Sequence, residues 1–120
     1  MGDCMPKIHI KVTIKNEEED TSYETQAILQ EECLKYKENQ ETTVQYQYDH
    51  NILIRENKEL KMEYTFNLLK PTQGTIQIKE LGEAVKIPIK TKRLERNNHN
   101  IEICFMIEEK EFLYRIEEIV

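Results

Sequence analysis

Tryptophan is absent from this chain, and glycine, proline and cysteine occur only three times each in 120 residues. With so few glycines, the turn positions that need a positive φ must fall to Asn and Asp. The cysteines, Cys4, Cys33 and Cys104, are odd in number, widely spaced and without a CxxC pair, which fits neither a disulfide framework nor a zinc site. Three free thiols and a reducing cytoplasm are the expectation. Ser22 is the only serine and has no flanking glycines of the nucleophile-elbow type, so serine-hydrolase chemistry finds no support. No apolar run approaches the roughly 20 residues that span a bilayer, and single charges are scattered through the first fifteen positions. Neither a signal peptide nor a membrane anchor is expected. Charge of one sign is also missing as a block. The 17 Lys and Arg against 23 Asp and Glu give a formal charge of −6, with both signs interspersed, which argues against a general nucleic-acid or polyanion binder.

What the chain has in abundance is two-residue alternation. Leu60, Met62, Tyr64, Phe66 and Leu68 share one parity, as do Val85, Ile87 and Ile89, then Ile101, Ile103, Phe105 and Ile107, and finally Phe112, Tyr114 and Ile116. A period of two puts such side chains on one face of a pleated strand and the intervening Lys, Glu and Thr on the other, the pattern of antiparallel sheet with one wet face. Near the start, Ile8, Ile10, Val12 and Ile14 read the same way. Val44, Tyr46 and Tyr48 continue the inward set, and Ile52 and Ile54 are read as inward after a break at Asp49, His50 and Asn51. Short polar turns between these runs imply a meander of about eight to ten strands. Closing it into a barrel removes exposed edges. One domain covers residues 1–120, with the ordered barrel from about residue 5.

Two places resist the pattern. From Gln26 to Glu38, Leu29, Cys33 and Tyr36 recur at helical spacing among good helix formers, while Leu34 and Tyr36 alternate with lysines and Glu31 and Glu32 could turn a hairpin. Pro88 sits inside the run Val85 to Thr91, which makes that strand an edge, bulged, or arranged so that the missing donor faces outward.

The candidate functional groups are few. The acidic clusters at 17–20 and 108–111 lack the pattern of a calcium loop and read as turns. His9, His50 and His99 have no metal-ligand spacing, so no metal is expected. The basic stretch from Lys86 to Arg96 lacks interleaved aromatics and fits cross-strand pairing with glutamates such as Glu102. The six tyrosines, Tyr23, Tyr36, Tyr46, Tyr48, Tyr64 and Tyr114, are more informative, because several share the inward parity and a buried hydroxyl needs a partner in the chain, a water or a ligand.

Glu24-Thr25-Gln26-Ala27, Leu34-Lys35-Tyr36 and above all Ile89-Lys90-Thr91-Lys92-Arg93-Leu94 are similar to segments of the YwiB-like family of small bacterial proteins of unknown function, in the same order along nearly the whole chain. The glycine-rich aromatic turn of that family is reduced here to Leu81-Gly82-Glu83. The resemblance implies a lipocalin-like (calycin) barrel, strands throughout 26–38, and no catalytic residues. The wider calycin group suggests a small apolar or amphipathic ligand inside the barrel. Its usual marks are missing, however: there is no Gly-x-Trp, and Tyr114 and Arg115 are adjacent, hence on opposite faces.

The sequence therefore reads as an all-β, cytoplasmic binding module without enzyme activity, cofactor, metal, nucleic acid or membrane. The ligand would be held among Tyr46, Tyr48, Tyr64, Phe66, Phe105 and Tyr114, with Arg55, Arg93 or Arg115 as anchors at a barrel mouth. The alternative is a protein-interaction module with a filled barrel, with a protein partner or a second copy of the chain.

Overall fold

The structure, a computed structural model, describes residues 6–119, so Cys4 lies outside the described residues. Ten strands follow in order: β1 (Lys7–Lys15), β2 (Asp20–Gln30), β3 (Cys33–Lys37), β4 (Thr43–Gln47), β5 (Ile52–Glu56), β6 (Leu60–Thr65), β7 (Thr72–Ile78), β8 (Glu83–Asn97), β9 (Asn100–Ile107) and β10 (Lys110–Glu118). Each is antiparallel to the next, and β1 pairs with β10 to close the ring. Among the described residues there is no helix long and apolar enough to cross a membrane.

The passage from Gln26 to Glu38 is strand, turn, strand. Gln30 faces Cys33 across a two-residue turn in which Glu31 takes φ 57°. Pairing decides against helix propensity: Ala27 lies opposite Tyr36 and Leu29 opposite Leu34, so both strands turn apolar side chains to the same interior. A helix here would leave β1 and β4 without those neighbours.

The turns are built differently from the expectation. Besides Gly82, positive φ falls on Asn51 and Asn98, but also on Glu31 and Glu108, and on no Asp among the described residues. A left-handed glutamate costs on the order of 1–2 kcal/mol, which the ladders on either side of each exposed two-residue turn offset. The other asparagines work through their side chains. Asn16 Oδ1 accepts the N–H groups of Glu18 and Glu19 at 2.8 and 2.9 Å, and Asn39 and Asn57 repeat the arrangement with the residues two and three positions on.

Parity is reversed in β5. Leu53 lies between Tyr46 and Tyr64, and Arg55 between Val44 and Met62, so these two face inward and Ile52 and Ile54 face out. With apolar residues on both faces, local pattern alone favoured the isoleucines; the register set by β4 and β6 overrides it.

Pro88 stands opposite Gln73 in the half of β8 that pairs with β7 only. The second half, from Lys90, pairs with β9, and the bulge falls there, between Thr91 and Arg93. A half-strand with a ladder on one side accommodates a residue without an N–H.

Ile10, Val12, Leu34, Tyr46, Phe66, Ile89, Ile103 and Ile116 fill the centre. Phe66 and Phe105 have ring centroids 4.9 Å apart, and Phe105 stacks on Phe112 at 5.4 Å. Gly74 makes room for this cluster, since a Cβ there would meet Tyr64 Cδ1 at 2.6 Å and Ile89 Cδ1 at 3.0 Å. Phe66→Ala is expected to cost about 3–5 kcal/mol and Gly74→Ala about 1–3, whereas Glu63→Ala, on the outer face, should cost below about 0.5. Urea unfolding of the three variants measures this. Equal losses at Phe66 and Glu63 would mean that the register is wrong.

Candidate functional site

Antiparallel order sends alternate turns to opposite ends of the barrel, and the interior differs between them. Toward the end that carries the β4–β5 and β8–β9 turns, the tyrosines are satisfied by the chain. Tyr46 donates its hydroxyl to Asn51 Oδ1 at 3.0 Å, and Tyr48 donates to the carbonyl of His99 at 2.8 Å while the Arg96 guanidinium lies 4.4 Å from its ring centre. This half is packed.

Toward the other end the walls part around a cavity of about 420 Å³. Its apolar surface comes from Ile14, Val44, Leu53, Met62, Phe105, Ile107 and Phe112, and its rim reaches Glu19 and Thr21 at the start of β2. Tyr23, Tyr36, Tyr64 and Tyr114 add four phenol rings. The hydroxyls of Tyr36 and Tyr114 bond to each other inside the barrel. That of Tyr23, closed off from solvent, lies next to Tyr36 but outside normal hydrogen-bond geometry. On the wall, Arg55 donates from Nε to Glu38 Oε1 at 3.0 Å and from a terminal nitrogen to Glu38 Oε2. Such a two-point pair makes an inward arginine tolerable, and the hydrogen bond to Glu38 raises the Arg55 pKa further.

Of the residues singled out from sequence, the cavity brings together Arg55, Tyr64, Phe105 and Tyr114. Tyr46, Tyr48 and Phe66 lie in the packed interior. Arg93 and Arg115 stand on the outer wall, where both pair with Glu102, Arg115 at 2.7 Å, and hold that carboxyl below its usual range. The adjacency of Arg115 to inward Tyr114 and Ile116 was the signal for its outward position. Glu38 had no such signal, because it follows β3 and acquires its role only from Arg55, two strands away. Among the described residues no three His, Cys, Asp or Glu side chains are placed to hold a metal ion, and Cys33 and Cys104 are free thiols.

All six tyrosines have raised pKa values, with burial the leading cause in each case. Tyr23 and Tyr48 are pushed up to about 12, and Tyr36 and Tyr114 well above the ordinary phenol range. These hydroxyls are neutral near physiological pH. Neutral phenols can both donate and accept hydrogen bonds.

Compared with solved structures, the chain is similar to the crystal structure of the ywiB protein from Bacillus subtilis, with a TM-score of 0.56 and 14% identity over 95% of this chain and 91% of that one. The fold is YwiB-like. No family profile matches the sequence, and no curated protein does. At this identity the likeness speaks for the fold alone.

The tyrosines have a consequence for pH dependence. An unfolded chain releases phenol protons near pH 10, whereas the folded barrel retains them until about pH 12, so the stabilisation is complete below pH 10 and is lost as pH rises through that window. Tyrosinate absorbance followed against pH should show little ionisation at pH 10, then a cooperative rise coinciding with loss of the near-ultraviolet circular dichroism. Gradual ionisation of most tyrosines near pH 10 with the fold intact would contradict the burial described.

Proposed function

We propose that this barrel is a non-enzymatic binding module that takes a small amphipathic or apolar molecule into the mouth cavity. The observation that carries this reading is the cavity itself. At about 420 Å³ it falls in the range of small-molecule sites, and it is walled by aliphatic side chains and by the rings of Tyr23, Tyr36, Tyr64, Tyr114, Phe105 and Phe112. The sequence resemblance points to a lipocalin-like (calycin) barrel, a group in which an open end receives ligands, and by analogy of fold this supports the reading. Free thiols at Cys33 and Cys104 are compatible with the cytoplasmic role expected from the sequence.

A protein-interaction role has one observation in its favour: Leu68 and Leu69 project from the β6–β7 loop, Leu69 with 94% of its surface exposed. Two leucines are a small patch, and the cavity weighs more.

The neutral dye Nile red tests the main reading. It should bind saturably at about one per chain with micromolar affinity. Val44→Trp, which fills the cavity from its wall, should weaken it at least about tenfold while the thermal transition is retained. Absence of saturable binding, or binding unaffected by a folded Val44→Trp variant, would overturn the proposal.

A further inference from the structure

Strand order distributes charge very unevenly between the two ends. The turns on the cavity side, residues 16–19, 38–42, 57–59, 79–82 and 108–109, carry nine glutamates against two lysines. The turns at the opposite end, residues 31–32, 48–51, 66–71 and 98–99, carry three acidic residues and one lysine. The cavity side alone thus exceeds the formal charge of the whole chain, −6. Inside the cavity charge is balanced, and the rim keeps the sign of the turns. Arg55 is neutralised by Glu38, and Glu19 remains on the rim, hydrogen-bonded only by the hydroxyl of Thr21 at 3.1 Å.

A ligand entering here therefore crosses a negative field focused by apolar walls, and then meets aromatic rings, whose faces attract positive charge. A carboxylate meets the reverse. Arg55, the one cation lining the cavity among the described residues, already gives its Nε and one terminal nitrogen to the Glu38 carboxylate and turns the other terminal nitrogen toward the Met62 sulfur at 3.9 Å, so its charge is matched before a fatty-acid head group could reach it. We propose that the natural ligand is an organic cation, an ammonium or amidinium group on an aromatic or branched apolar body, and not a fatty acid. This rests on the binding-module reading and adds the charge of the ligand to it.

Three compounds that share a naphthalene ring and differ in head group serve as probes: 2-naphthylmethyl-trimethylammonium, 2-naphthylmethanol and 2-naphthoate, each titrated against Nile red bound to the full chain. At about 20 mM salt the ammonium should bind at least about fivefold more tightly than the alcohol, the naphthoate more weakly than both, and the spread should narrow at 0.3 M salt, where the Debye length falls to about 6 Å. Glu38→Gln supplies the second arm. It leaves Arg55 unpaired at the cavity wall, so the naphthoate should gain at least about tenfold and overtake the ammonium. The reciprocal Arg55→Gln variant, which leaves Glu38 alone, should strengthen the ammonium instead. Both variants are compared only when their thermal transitions show a folded barrel, and Glu17→Gln with Glu19→Gln, at an exposed turn, provides a third that keeps the interior intact and should shrink the preference for the ammonium. If Nile red binds but the three compounds compete equally, or the naphthoate competes best against the unaltered protein, the charge assignment is overturned while the cavity stands. If Nile red does not bind, the binding reading itself fails.

Discussion

Everything in this molecule depends on one pairing that is not between sequence neighbours: β1 against β10, from Ile10 opposite Glu118 to Lys15 opposite Leu113. The backbone N–H of Ile119 extends the seam by donating to the carbonyl of His9 at 2.8 Å. Closure gives the sheet an inside. Once the ring is shut, parity along each strand decides whether a side chain is solvated or enclosed, and the ten strands must agree on a common interior. Opening the seam would expose both edges at once and release the apolar faces of Ile10, Val12, Tyr114 and Ile116.

Much of the architecture is written in the alternation. The inward sets of β1, β4, β9 and β10 coincide with the apolar parity of their sequences, and the Glu31-Glu32 turn emerges as soon as Leu34 and Tyr36 are given partners in β2. Legibility ends where a strand is apolar on both faces. In Ile52-Leu53-Ile54-Arg55, hydrophobicity prefers the two isoleucines inside, and only the register with Tyr46 and Tyr64 turns Leu53 and Arg55 inward. The exposed Val85 illustrates a different limit. Its parity is right, but the first half of β8 overhangs the region paired with β9, so the inward face has nothing opposite it.

The cavity was less legible than the fold, and for a physical reason. Tyr64, Phe105 and Tyr114 can be assigned to the interior from parity, yet whether an interior ring packs or lines open space depends on how far apart the walls stand, which no single strand encodes. Tyr46 and Tyr48 have the same residue type and parity as Tyr114, but their hydroxyls find Asn51 and the carbonyl of His99. The Arg55 to Glu38 pair is a tertiary event between strands that are not neighbours, and it changes the meaning of Arg55 from a free anchor to a neutralised part of the wall.

The hairpin meander has a consequence for the order of assembly. Apart from the seam, each strand pairs with the strand next to it in the chain, so nine of the ten ladders can zip by closing short loops, events on the microsecond scale. The seam instead requires the loss of freedom of almost the entire chain before a single one of its hydrogen bonds forms. Folding is therefore expected to have a late, entropically dominated barrier at β1 and β10. Substitutions in their shared interior, such as at Ile10 or Ile116, should then register mainly as slower folding.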